Sequence, residues 1–120
     1  MTHNDFYDDQ MLFIPSTGSL ALVDFEETAL GDPMLDVGNM LAHMSWSVQM
    51  GGPQTVENYW SRFRNTALER FGWERRELDL REAYCLFRLA SNPFQSLDEN
   101  WREPIVAGLS VADHTLKRSA

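Results

Sequence analysis

One cysteine, Cys85, stands among the 120 residues, so no internal disulfide can form and the composition fits a reducing compartment. No nucleophile motif surrounds it, and within a helical pattern it is expected as a small buried apolar side chain. Basic residues are also sparse, ten Lys and Arg against eighteen Asp and Glu. The net charge of −8 argues against nucleic acid as a partner, because phosphate binding needs clustered cations. No apolar run approaches membrane-spanning length, and the N-terminus has no basic-then-apolar leader. The chain is therefore expected to be cytoplasmic, with no membrane partner. No repeat, low-complexity tract or interdomain linker divides it, and its length allows one domain at most.

What is present begins with the stretch from His3 to Asp36. Two apolar runs, Met11-Leu12-Phe13-Ile14 and Leu20-Ala21-Leu22-Val23, flank Pro15-Ser16-Thr17-Gly18-Ser19 and predict a β-hairpin. Pairing Ile14 with Leu20 sets Phe13 opposite Ala21, Leu12 opposite Leu22, Met11 opposite Val23 and Gln10 opposite Asp24. Asp5 and His3 lie in the loop entering that open end, so the hairpin is expected to gather Asp5, Gln10 and Asp24. Oxygen donors in one small volume suit a hard divalent cation such as Mg²⁺, which takes one or two protein oxygens and completes its shell with water and phosphate. Asp5 could then act as a base or orient a hydroxyl nucleophile. The bland alternative for the same residues is an acidic hairpin end with solvated side chains.

After Glu27 the pattern becomes helical. Asp32-Pro33 reads as N-cap and first helical residue, opening a helix over 33–49 with Val37, Leu41, Met44 and Val48 on one face. Gly51-Gly52-Pro53 ends it. A second helix is expected over 55–70, with Val56, Tyr59, Trp60, Phe63 and Ala67 packed inward, stopped by Gly72. The third, over 79–90, has the broadest apolar arc and is expected to be the most buried. It breaks at Asn92-Pro93, with a resumption through 94–97, and a last helix over 102–118 uses Ile105, Leu109, Ala112 and Leu116. His43, mid-helix among Met and Leu, reads as a packed or partly exposed side chain. The fold class is α+β, mostly α: a β-hairpin followed by about four helices.

The motifs resemble the aminoglycoside phosphotransferase/choline kinase family, of protein-kinase-like fold. Asp5 followed five residues later by Gln10 is similar to a kinase catalytic loop, and Val23-Asp24-Phe25-Glu26 stands where a metal-binding Asp-Phe-Gly is expected. Gly31-Asp32-Pro33 with Asp36 is similar to the signature that follows in the phosphotransferase branch. Three ordered motifs cover about the first third of the chain, and the rest is a compatible helical pattern. The resemblance implies catalytic roles for Asp5, orienting the acceptor hydroxyl, and for His3, organising the loop backbone. It implies Asp24 and Gln10 as ligands of Mg²⁺ at the phosphates of ATP, with Gln10 departing from the usual Asn by one methylene. Asp36 would support the catalytic loop by hydrogen-bonding its backbone.

The implied activity is transfer of the γ-phosphoryl group of ATP to a small-molecule hydroxyl. Residues 1–32 would carry the catalytic loop, hairpin and metal-binding segment of a C-terminal lobe, and 33–120 its helical part. No strand-borne Lys or phosphate loop is found, so the N-terminal nucleotide-binding lobe is expected to be absent and these residues alone to be inactive. Apolar surface left uncovered would favour self-association. Two other readings fit: a non-catalytic remnant that keeps the fold to bind a partner, and a metal-assisted hydrolase using His3, Asp5 and Asp24. The acidic balance would suit a cationic acceptor. Glu26 and Glu27, with Asp8 and Asp9, are near enough to bear on substrate charge, and Glu57, Asp98, Glu99 and Asp113 are more distant candidates.

Overall fold

The computed structural model describes residues 1–95 and 99–119. A two-stranded antiparallel hairpin, β1 (Met11–Ile14) and β2 (Ser19–Leu22), is followed by α1 (Pro33–Gln49), α2 (Thr55–Phe71), α3 (Arg75–Ala90), the single turn α4 (Asn92–Gln95) and α5 (Arg102–Ser119). The fold is thus mostly helical with a small β part, as the hydrophobic patterning predicts. Among the described residues no helix is long and apolar enough to cross a membrane. Leu97 and Asp98 lie outside the described residues.

The hairpin register differs from the expected one by a residue. Met11 pairs with Leu22, Leu12 with Ala21, Phe13 with Leu20 and Ile14 with Ser19. The cause is the turn. The Ile14 carbonyl accepts from the amides of both Thr17 (3.2 Å) and Gly18 (2.9 Å), and Gly18 closes the loop at φ +66°, a conformation that favours glycine. The connection therefore takes four residues, and Ser19 enters the strand. Burial could not have pinned the register, because both faces are open: Phe13 is 62% exposed, and Leu12, Leu20 and Leu22 are exposed too.

Helix α1 begins where Asp32-Pro33 places it, with the Asp32 carboxylate accepting from the Met34 amide at 3.0 Å. Helix α3 starts four residues earlier than its apolar arc indicates, behind an extended Glu74, and so brings Leu78 and Asp79 into its buried face. It is the central helix, packed between α1 and α5. One core cluster joins Ala42, Cys85, Leu86 and Ala112, with Leu35, Trp46, Leu89 and Val111 around it. A second joins Met34, Leu41 and Leu78, flanked by Val37, Trp60, Phe63, Leu68 and Trp73. Cys85 is 1% exposed, and burial pushes its thiol up to about 11, so it packs as an apolar residue and is not a nucleophile.

Three helices present faces that differ in part from the expected ones. In α3 Tyr84 and Phe87, expected on its apolar arc, are exposed. In α2 Tyr59 is exposed and Arg64 is buried, while Ala67 packs inward as expected. In α5 the buried stripe is Gly108, Ala112 and Thr115, whereas Leu109 and Leu116 are exposed. The small residues allow close approach: a Cβ on Gly108 would lie 2.2 Å from Trp46 Cζ3 and 3.0 Å from Ala90 Cβ. Three inward positions of α2 and α3, Arg64, Asp79 and Glu82, are polar, and they are held in ion pairs and hydrogen bonds. Arg64 bonds Asp79, and Arg118 reaches Asp79 Oδ1 (3.3 Å) and Glu82 Oε2 (3.0 Å). Glu82 Oε1 accepts from Ser45 Oγ (2.8 Å) and Trp60 Nε1 (2.9 Å).

The crossing of α1 over α3 depends on Gly38, where a Cβ would lie 2.9 Å from the Arg81 backbone carbonyl carbon and 3.1 Å from the Glu82 amide nitrogen. Gly38→Ala gains about 1 kcal/mol of helix propensity but overpacks a backbone contact, at a cost of about 1–3 kcal/mol. Urea unfolding should show a net loss of about 1 kcal/mol. An unchanged or raised midpoint would mean the two helices can separate without penalty.

Candidate functional site

The loop before β1 is held by backbone groups accepted one at a time. The two carboxylate oxygens of Asp36, in the first turn of α1, accept from the amides of His3 and Asn4, each at 2.8 Å. His3 Nε2 donates to the Val23 carbonyl at 2.8 Å, tying the loop to the residue before Asp24. Asn4 Nδ2 donates to the Glu27 carbonyl at 2.8 Å, and Thr2 and Ala29 exchange backbone hydrogen bonds. A Cβ on Gly31 would lie 2.9 Å from Thr2 Oγ1, so the segment leading into α1 passes Thr2 closely at a glycine.

Between these ties the chain presents Asp5, Gln10 and Asp24. Gln10 ends a 3-10 turn, Asp8–Gln10, that the sequence patterning does not announce. Its backbone carbonyl accepts from the Val23 amide at 3.0 Å, so Gln10 faces Val23 across the ladder rather than Asp24. The side chains nevertheless converge. Gln10 Nε2 donates to Asp5 Oδ2 and to Asp24 Oδ2, both at 3.2 Å. Asp24 reaches this position by adopting φ +61°, and Asn4 sits at φ +67° beside Asp5. Asn and Asp are the non-glycine residues that best tolerate the left-handed region, and such backbone strain clusters at functional sites. Gln10 is 7% exposed, whereas Asp24 is open to solvent.

Asp5 also borders a cavity of about 430 Å³, with Tyr7 from its own loop, Asn39 and His43 from α1, Arg88, Leu89 and Ser91 from the end of α3, and Asn92 and Gln95 from α4. Tyr7 and His43 stack at 4.1 Å between centroids, 15° from parallel. Asn39 Nδ2 donates to the Phe6 carbonyl at 3.1 Å, fixing the loop against α1. Burial, then the acidic residues Asp5, Asp9, Asp24 and Asp8, raise the Tyr7 phenol above its ordinary value, so it stays neutral.

With this geometry in hand, comparison with known proteins places the chain in a family. A sequence model of the phosphotransferase enzyme family matches residues 1–80. The chain belongs to that family. The matched span carries the whole cluster of Asp5, Gln10 and Asp24, the Asp36 anchor and the two helices behind them. No curated protein and no solved structure matches the chain.

Among the described residues no three His, Cys, Asp or Glu side chains come together as a metal site. Two carboxylates within reach of one amide still supply the one or two protein oxygens that Mg²⁺ takes, because it keeps waters and phosphate oxygens for the rest. Asp5 and Asp24 fit; Gln10 turns its NH₂ toward them and would offer oxygen only with its amide turned over. Glu26 and Glu27 stand in the exposed segment after Asp24 and do not line the cavity beside Asp5. Glu57 borders a separate cleft between α1, α2 and α5, Glu99 lies far along the chain, and Asp113 pairs with Lys117 at 2.6 Å.

Sequence reasoning passed over the Tyr7–His43 stack and Arg88, and it expected a break at Asn92-Pro93 with helix over 94–97, whereas α4 already begins at Asn92. The α-helical spacing of Asn39 and His43, four apart on one face and next to the loop anchored by Asp36, was the available signal.

His43 provides a pH test of this packing. Burial is the main cause that lowers its pKa below the ordinary 6.5, with Arg88 adding to it and Asp8, Asp5 and Asp9 opposing. The unfolded imidazole takes a proton at its ordinary value while the folded one resists until lower pH. Stability from this group is full above 6.5 and is lost as pH falls through that value to the folded pKa. Unfolding free energy should fall more steeply than in His43→Phe as pH drops below the ordinary 6.5. The comparison isolates His43 from Glu82, whose carboxyl is raised by burial and so gives the opposite slope. Equal slopes would contradict a buried neutral His43.

Proposed function

We propose that this phosphotransferase moves the γ-phosphoryl group of ATP to a hydroxyl of a small molecule held in the cavity beside Asp5. The observation that carries the reading is the single amide of Gln10 bridging Asp5 and Asp24, with Asp5 also bordering the cavity.

In this reading Asp5 accepts a hydrogen bond from the acceptor hydroxyl, aligns its oxygen for in-line attack and takes its proton as the new bond forms. Asp24 would hold Mg²⁺, and Gln10 would join it through its carbonyl oxygen once its amide turns over from the hydrogen bonds to Asp5 and Asp24. When bound, the ion offsets the negative charge of the nucleotide phosphates. Without it, the Gln10 amide keeps the two carboxylates from facing each other unshielded, since each accepts one of its hydrogens. His3 serves the loop backbone through Val23 and is not a proton carrier, and Asp36 fixes the loop. Transfer is proposed to need a nucleotide-covering lobe beyond these 120 residues. Apolar side chains of the hairpin such as Phe13 and Leu20 are the surface that lobe or a second copy would cover.

The test is Mg²⁺-dependent ATP turnover by the protein recovered from its source cells, against a panel of hydroxylated acceptors. Asp5→Asn and Asp24→Ala should each lower kcat by roughly 10²–10⁴-fold while circular dichroism stays unchanged. Full activity in either variant would remove that residue from the mechanism. Absence of turnover by the unaltered protein with every acceptor would favour a binding role for the fold.

A further inference from the structure

The lining of the cavity beside Asp5 is balanced in charge, although Asp8, Asp9 and Asp24 also act on its Tyr7 wall from outside the lining. The protein is strongly acidic, at −8, yet among the described residues Asp5 is the one carboxylate that lines this cavity. Asp5 is already engaged by Gln10. The cavity's cation is Arg88, in the last turn of α3. Among the described residues no carboxylate forms an ion pair with it, whereas Arg64, Arg81 and Arg118 are all paired. Its backbone carbonyl accepts from Ser91 Oγ at 2.7 Å, which fixes the chain turn that carries it into α4.

The remaining lining is neutral and rich in hydrogen-bonding groups. Asn39, Ser91, Asn92 and Gln95 supply amides and a hydroxyl, and Gln95 Nε2 donates to Ser91 Oγ at 3.1 Å. His43 adds no positive charge near neutral pH, because burial holds its pKa down. The stacked Tyr7 and His43 rings form one wall. A polyamine would need several carboxylates to replace its hydration, and this lining offers one that is already hydrogen-bonded. A guanidinium fork suits a planar or tetrahedral oxyanion, and the amides suit hydroxyls.

We propose that the acceptor is a polyhydroxylated compound bearing an anionic group, carboxylate or phosphate, bound by Arg88, with the amides of α1 and α4 reading its hydroxyls. This rests on the phosphotransfer reading of Asp5 and adds the substrate class to it. The anion lies at the Arg88 end and the reacting hydroxyl at the Asp5 end. Arg88 is therefore a specificity residue and takes no part in moving the proton.

The test is NMR titration of the 120-residue chain, without nucleotide or Mg²⁺, using gluconate, glucose 6-phosphate, sorbitol and tobramycin, read at the His43 ring. One or both anions should shift the His43 signals saturably, with sorbitol and tobramycin at least roughly tenfold weaker. Gluconate alone would identify a carboxylate, glucose 6-phosphate alone a phosphate. Arg88→Gln should weaken the anion roughly tenfold or more, to the level of sorbitol, and Arg88→Lys should retain part of the affinity. Equal binding of sorbitol or tobramycin, no shift with either anion, or unchanged affinity in Arg88→Gln would overturn the proposal. A failed titration with transfer still abolished by Asp5→Asn would remove the acceptor class alone. Anion binding with transfer intact in Asp5→Asn would instead remove the phosphotransfer reading.

Discussion

The two hydrogen bonds from the His3 and Asn4 amides to Asp36 are the constraint on which the site depends. A charged acceptor with both oxygens engaged fixes direction as well as distance, and hydrogen bonds to charged groups are the stronger kind. Asp36 is itself immobilised in the first turn of α1, behind the Asp32 cap and Pro33, and a carboxylate there gains from the helix dipole. Helix α1 is in turn held against α3 through the gap at Gly38. Asp5 thus inherits its position from the helical core, although the residues around it are loop. The ties from His3 to Val23 and from Asn4 to Glu27 extend that control to the segment bearing Asp24.

Most of the architecture could be read from local chemistry. Asp32-Pro33, Gly51-Gly52-Pro53 and Gly72 punctuate the helices because capping and left-handed φ are short-range requirements. The hairpin was legible as an element but its register was not, since a four-residue turn closed by Gly18 decides it and neither face is buried to arbitrate. The convergence of Asp5, Gln10 and Asp24 survives that slip because Asp24 turns back at positive φ beside the Val23 carbonyl that His3 holds, and no spacing rule contains either feature. The cavity beyond Asp5 was illegible for a similar reason. Its lining comes from the loop, α1, α3 and α4, and only tertiary packing puts Arg88 near Asp5.

The polar core behind the site explains why helical faces were misjudged. Apolar periodicity assumes that inward positions are apolar, yet Arg64, Asp79 and Glu82 are buried where α2, α3 and α5 meet. Trp60 lies within 5.4 Å of the Arg64 guanidinium and 5.0 Å of that of Arg118, so one indole serves both cations and also donates to Glu82. Removing one partner from such a network leaves the others buried without a counter-charge, which is costlier than the net worth of the pairs. Exposed Leu109 and Leu116 on α5 are the complement of this arrangement, because the inward stripe is reserved for Gly108, Ala112 and Thr115.

The central claim is that Asp36 holds the loop carrying Asp5. The direct measurement is amide hydrogen exchange in Asp36→Asn, which keeps the side chain's shape but turns an NH₂ toward one of the two donors. The account predicts faster exchange at His3 and Asn4, by roughly tenfold or more, with protection in α1 and α3 retained. Unchanged protection at both amides would show that the loop is fixed by other contacts, and the account would fail.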